Sequence, residues 1–134
     1  MTVAKPRAVQ GDADSAAWWE ALAAGRLELP VCSSCGRRWF PPAPTCPYCG
    51  ATHPSLIAAS GLGKVYSWVV VHKAFDPVFA NDVPYVILTV DLDEGARVVG
   101  RLLGPRDALR ADARVRAVPY ESRSGALLGF ELRS

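Results

Sequence analysis

Cys32-Ser33-Ser34-Cys35-Gly36 and, after a further nine residues, Cys46-Pro47-Tyr48-Cys49-Gly50 hold all four cysteines of the chain. Two Cys-x-x-Cys pairs at this separation converge on one tetrahedral metal ion, with every sulfur bound as a thiolate. Each pair closes on a glycine, the residue that adopts the positive φ of such a knuckle at least cost. The stretch therefore reads as a zinc ribbon with Cys32, Cys35, Cys46 and Cys49 as ligands. Three other uses compete: two disulfides, a redox-active pair, or iron in place of zinc. Residues 1–13 carry no apolar signal core, so an oxidising compartment is not indicated. A redox-active pair leaves the second, matched pair unexplained. Iron accepts the same four sulfurs, so only elemental analysis separates it from zinc. Four cysteines leave no coordination position for water, which makes the metal structural rather than catalytic.

The residues around the knuckles follow from this reading. Arg37-Arg38-Trp39-Phe40-Pro41-Pro42-Ala43-Pro44 supplies two aromatics to cover a hairpin with almost no core of its own, and prolines that stiffen the return to Cys46. Leu27–Val31 alternates and leads into the first knuckle as a strand. Upstream, Asp14 or Ser15 offers an N-cap to Ala16–Ala24, strong helix material that Gly25 ends. Trp18, Trp19 and Leu22 sit close together on this short helix. Adjacent residues diverge by about 100° around a helix, so one small domain is not expected to bury both tryptophans. The three are candidates for docking a partner, against the plainer reading that one Trp packs on the ribbon or barrel. Residues 1–13 are expected to form a mobile or externally docked tail. His53, in the connector after Gly50, is a surface residue on this reading, since four cysteines already fill the site.

Beyond Leu56 the pattern becomes a succession of strands. Lys64–Lys73, preceded by Gly61 and Gly63, is long enough to bend and serve two edges of a small barrel. A loop from Ala74 to Val83 with Phe75 and Phe79 follows. Pro84–Leu92 and Ala96–Leu103 flank the turn Asp93-Glu94-Gly95, and Gly100 marks a bulge or close approach. Gly104-Pro105 opens an expected short helix to about Arg110, before strands over Ala113–Glu121 and Ala126–Leu132. Five strands with a helix between the third and fourth give the order of an OB-fold barrel. The fold class is thus mainly β: an N-terminal helix, a rubredoxin-like zinc ribbon and a five-stranded OB barrel. The expected divisions are 1–26, 27–54 and 55–134.

Composition bounds the function. The chain has 134 residues and a net charge of +2, with twelve Arg against three Lys. That balance is not the footprint of a strongly electrostatic nucleic-acid binder. No apolar run approaches the ~20 residues of a membrane span. A cytoplasmic protein is expected. No nucleophile or acid–base pair can be assembled: the cysteines are committed to metal, and His72, at the end of the first barrel strand, stands alone.

The ordered motifs Gly25-Arg26-Leu27, Cys32-x-x-Cys35-Gly36, Phe40-Pro41-Pro42, Cys46-Pro47-x-Cys49-Gly50, Gly61-x-Gly63-x-Val65-Tyr66-Ser67, Pro84-Tyr85-Val86 and Leu92-Asp93-Glu94-Gly95 resemble a known family. It is the bacterial and archaeal family of zinc-ribbon-plus-OB-fold proteins associated with acyl-CoA enzymes. The resemblance covers about Trp18 to Leu132. It implies an accessory role beside a thiolase-like partner, including sterol-carrier-type thiolases that act as aldolases in steroid side-chain degradation, or beside hot-dog-fold hydratases. It also implies part of an acyl-CoA channel. Arginine suits the phosphates of such a ligand and an apolar groove its pantetheine arm. Phe75, Phe79, Tyr85, Arg97 and Arg101 are the candidates for that surface. The alternative is a module for single-stranded nucleic acid, with Tyr66, Trp68 and Tyr120 stacking on bases and Arg114 and Arg116 on phosphates.

Overall fold

The computed structural model describes residues 13–74, 76–123 and 125–133. Most of the N-terminal tail and the candidate Phe75 lie outside them. Helix α1 spans Ala16–Ala23. It ends as the sequence requires: Gly25 sits at φ +81°. Its N–H donates to Leu22 O at 2.9 Å, while Arg26 N–H donates to Ala21 O at 2.8 Å. These two bonds satisfy carbonyls that the last turn would otherwise leave open. Trp18, Ala21 and Leu22 face inward and are buried. Trp19, rotated away from them, is half-buried.

Strand β1 (Glu28–Val31) pairs antiparallel with β2 (Ser55–Ala58). The ribbon therefore enters and leaves along one two-stranded sheet. Residues 55–58, read from sequence as the start of the barrel unit, are hydrogen-bonded to the ribbon's lead-in strand. Sequence pattern hides this pairing because both faces of β2 are exposed, leaving no alternation to read.

The remaining strands are β3 (Leu62–Val71), β4 (Tyr85–Leu92), β5 (Arg97–Leu103), β6 (Arg114–Ser122) and β7 (Gly125–Leu132). They close into a barrel in the order β3-β4-β5-β7-β6, with β5 and β7 parallel and the other pairs antiparallel. This is the five-stranded OB architecture. Strand β3 bends as expected: it pairs with β6 through Leu62–Lys64 and with β4 along its length, with a register shift between Val65 and Ser67. In β4, Val86, Leu88, Val90 and Leu92 point in and the intervening residues point out, the period-2 pattern of a half-buried strand. Each such burial is worth about 1.5–3 kcal/mol. The helix expected after Gly104 is absent. Residues 104–113 instead make tight turns, including Leu109 N–H to Arg106 O at 3.0 Å and Ala113 N–H to Arg110 O at 3.2 Å. Only Leu109 of that stretch packs against the core before Ala113, so no apolar stripe exists to hold a helix.

One core runs through all three parts. Trp18 and Leu22 of α1, Leu27 and Leu29 from the ribbon side, and the barrel residues Val65, Leu88, Val98 and Phe130 form a single cluster. Glu94, in the β4–β5 turn, accepts from the Ser60 hydroxyl at 3.0 Å and from its backbone N–H, fastening the barrel to the segment that leaves β2. Among the described residues no helix is long and apolar enough to cross a membrane.

Gly100 proves to be a close approach. A Cβ there would lie 2.7 Å from the Phe130 ring, which is fully buried. Gly100→Val is expected to lower stability by about 1–3 kcal/mol through overpacking, measured by denaturant unfolding. An unchanged midpoint would contradict this packing.

Candidate functional site

The two knuckles are built alike. In the first, Cys32 N–H donates to Arg37 O and Gly36 N–H to Cys32 O, both at 2.9 Å. In the second, Cys46 N–H donates to Ala51 O and Gly50 N–H to Cys46 O, again at 2.9 Å. Gly36 and Gly50 take φ of +75° and +80°. The turns bring all four sulfurs within 4.8 Å of one another. Cys32 Sγ lies 3.5 Å from Cys49 Sγ, and Cys35 Sγ lies 3.7 Å from Cys46 Sγ. A disulfide needs about 2.05 Å, so these are not disulfides. A tetrahedron with Zn–S bonds of about 2.3 Å has edges of about 3.8 Å, which matches.

Charge makes the same point. The Cys32 thiol is pulled down to about 6, first by the Cys35 backbone amide, against the opposing effect of burial. Both the Cys35 and Ser34 amides reach its sulfur at 3.4 Å. At Cys46, burial pushes upward, but the Tyr48 and Cys49 amides and the neighbouring thiols leave the net shift downward. At Cys35 the Arg37 amide pulls down, yet burial and the adjacent Cys32 and Cys46 raise it overall. At Cys49 the Ala51 amide pulls down, but Cys32, burial and the remaining thiols push it up to about 11. Two of the thiols are pulled down and two pushed up, each by its neighbours in the cluster. A divalent cation removes that conflict and lets all four serve as thiolates. The donor set fits zinc, with no coordination position left for chemistry.

Trp39 and Phe40, adjacent in sequence, face opposite ways. Trp39 packs on Cys32 and Cys46, while Phe40 packs toward the main core. The Phe40 ring meets Trp18 at 5.0 Å between centroids. Phe40, Pro41 and Pro42 thereby form one wall of a cleft of about 440 Å³. Trp18, Trp19 and Leu22 of α1 form a second wall. The barrel supplies the floor through Tyr85, Ile87, Val99, Tyr120 and Leu127, and Phe79 closes one end. Phe79 is held by a 3₁₀ turn, Pro77–Phe79, in which the Asp76 carboxylate accepts from Val78 N–H at 3.0 Å.

One border of the cleft is polar. Arg101 donates to Asp82 at 3.1 Å and lies 4.6 Å over the Tyr85 ring. Tyr120 beside it is half-buried. Burial pushes its hydroxyl upward, partly offset by Arg101, so it stays protonated at neutral pH. Among the described residues no His, Cys, Asp or Glu lines the cleft.

The cleft thus gathers Trp18, Trp19, Leu22, Phe79, Tyr85 and Arg101. It does not gather Arg97. That side chain is engaged with Asp91 at 2.7 and 3.3 Å and stacked 3.7 Å over Tyr66. Trp18 and Leu22 are 4% and 2% exposed, so they belong to the core and are not free partner-docking residues. Of the three candidates on α1, Trp19 keeps accessible surface. Trp18 meets Phe40, and both Trp18 and Leu22 join the core shared with the barrel, packing that sequence spacing does not reveal. His53 and His72 are exposed and line neither the cleft nor the metal site. Arg114 and Arg116 face Asp93 and Glu131 at 2.8 and 3.0 Å. Tyr120 lies in the cleft while Tyr66 is under Arg97, so the stacking residues of the nucleic-acid reading do not share one groove. Ile87, Val99 and Leu127 were not singled out in the sequence, and Tyr120 was singled out there only for stacking on bases. Ile87 and Val99 carried a readable signal, being apolar at outward positions of alternating strands.

The ChsH2 rubredoxin-like zinc ribbon domain matches residues 19–54, and the ChsH2 C-terminal OB-fold domain matches residues 56–119. A DUF35 domain-containing scaffold protein of Methanocaldococcus jannaschii is 35% identical over 102 residues, 72% of each chain. The chain belongs to the DUF35 family. This DUF35 chain is also 38% identical over 108 residues to a probable enoyl-CoA hydratase alpha subunit of Thermomonospora curvata, covering 78% of its own length but 33% of the relative's. It spans about a third of that protein. Among solved structures it superposes on a chain of an Ltp2-ChsH2(DUF35) aldolase with TM-score 0.81 and 33% identity, covering 92% of this DUF35 chain and 98% of the other.

The metal role makes a direct prediction. Cys46→Ser is expected to lose or weaken zinc and to unfold the ribbon, because binding free energy is folding free energy at such sites. Elemental analysis and near-UV circular dichroism check it, with the barrel's far-UV signal retained. Full zinc retention in the variant would contradict the assignment.

Proposed function

We propose that this chain is the non-catalytic accessory subunit of a thiolase-type acyl-CoA lyase or transferase, and that its cleft forms part of the acyl-CoA channel. The observation that carries the reading is the cleft itself. It is apolar and of a size that suits a ligand arm, and among the described residues no His, Cys, Asp or Glu lines it. Such a lining suits sheltering a substrate arm while a partner supplies the chemistry. The likeness to the DUF35 chain of an aldolase supports the same division of labour. A thiolase-type identity for the partner and steroid side chains as the substrate are the finer form of this reading, as the sequence resemblance implies.

In this role the rigid aromatic walls exclude water from the pantetheine arm. Arg101, held by Asp82 and Tyr85, gives the border a fixed positive group for a polar or anionic part of the ligand. The protonated Tyr120 hydroxyl supplies a donor beside it. Bound zinc supplies no chemistry, only a closed ribbon. A reducing cytoplasm suits four cysteines kept for metal.

Val99 tests the surface because it is 46% exposed and points outward. Val99→Asp is expected to leave stability within about 0.5 kcal/mol. With a co-expressed thiolase-type partner it is expected to weaken association or activity about tenfold or more. If the partner alone is soluble, complete and equally active on its acyl-CoA, the accessory role is wrong.

A further inference from the structure

A second cavity, of about 420 Å³, adjoins the cleft. Pro84, Leu103, Gly104 and Arg106 are part of its lining, and Tyr85 and Arg101 border both spaces. The cleft is apolar with one arginine at its border, whereas this cavity has two arginines, and among the described residues no Asp or Glu lines it. Arg101 is held: it donates to Asp82 at 3.1 Å and lies 4.6 Å over the Tyr85 ring, with further N–H donors left to offer. Arg106, in the turn after β5, differs from the arginines of the neighbouring strands. Arg97 and Arg101 on β5 and Arg114 and Arg116 on β6 each face a carboxylate. Among the described residues Arg106 faces none, and Asp107 beside it in the chain lies outside the lining.

We infer that this cavity is a phosphate subsite, which takes the phosphorylated end of a ligand whose thioester arm lies in the cleft. The inference rests on the reading of the cleft as part of an acyl-CoA channel and names where the other end of that ligand goes. An acyl-CoA carries a diphosphate at the end of its pantetheine arm, so it calls for an apolar groove that runs into a cationic one. The two cavities stand in that order, with Arg101 at the passage between them. Arginine suits the polar end because its planar fork donates two N–H groups to two phosphate oxygens. The two arginines divide the task. Arg101 is pre-organised but partly neutralised by Asp82, and Arg106 brings the uncompensated charge.

The test is calorimetry on the zinc-loaded full chain with octanoyl-CoA, with octanoyl-pantetheine, which lacks the phosphates, and with inorganic diphosphate. Octanoyl-CoA is expected to bind about tenfold tighter than octanoyl-pantetheine. Arg106→Gln is expected to remove most of that gain and leave octanoyl-pantetheine unchanged. Arg110→Gln makes the same change in net charge at an exposed residue that lines neither cavity, and is expected to behave as wild type. Diphosphate is expected to compete with octanoyl-CoA in wild type but not in Arg106→Gln. Equal affinity for the two thioesters, or an equal loss in Arg110→Gln, overturns the phosphate subsite while the cleft reading stands. Diphosphate binding that depends on Arg106, without any gain for octanoyl-CoA, also overturns it, because the cavity would then serve free phosphate. Binding of neither thioester overturns the cleft reading, and this inference falls with it.

Discussion

Four sulfurs held within 4.8 Å of one another govern everything on the N-terminal side of the barrel. The ribbon between Val31 and Ser55 contains no strand pairing beyond isolated bridges at Val31–Arg38 and Thr45–Thr52. Its buried cluster is two cysteines, one tryptophan and part of an alanine. So small a core cannot stabilise a fold by apolar burial alone. The metal does so instead, and closing the knuckles fixes which way residues 38–42 face. Trp39 turns in on the sulfurs and Phe40 turns out onto Trp18. That second contact joins the ribbon to the helix and, through the shared core, to the barrel. Arg37 over the Tyr48 ring, 4.8 Å from its centroid, adds a tie between the knuckles on the exposed side.

The cleft is the consequence of that arrangement. One wall comes from the ribbon, another from α1 and the floor from outward-facing residues of the barrel. An OB barrel alone would present Ile87 and Val99 as an exposed apolar patch of the kind that marks an interaction surface. Beside Trp19, Phe40 and Pro41, the same residues line an open cleft. Function on this account belongs to geometry that three pieces build jointly. This is why no single motif in the chain announces it.

The metal ligands, the barrel strands and the cap at Gly25 were legible because each follows from local chemistry: paired cysteines, period-2 alternation and a required positive φ. Gly100 was legible as an anomaly in a strand, and Phe130 explains it. What escaped needed tertiary information. Residues 104–110 contain Pro105, Ala108 and Leu109, plausible helix material, but too little apolar surface to pack. Strand β2 shows no alternation because both its faces are exposed. Trp18 and Trp19 looked alike in sequence, and it takes the packing against Phe40 and the shared core to show that Trp18 goes inside. Arg97 and Arg101 are both outward on β5, four residues apart. Asp91 and Tyr66 hold the first away from the cleft, while Asp82 and Tyr85 hold the second at its border.

The claim that a metal-closed ribbon holds up one wall of the cleft is tested most directly by hydrogen exchange on the full chain, with zinc bound and after its chelation. Residues 38–42 and helix α1 are expected to lose protection together once zinc is removed, while β4 and β5 keep theirs. Protection at residues 38–42 that survives complete zinc removal would contradict the account, because the wall would then stand without the metal.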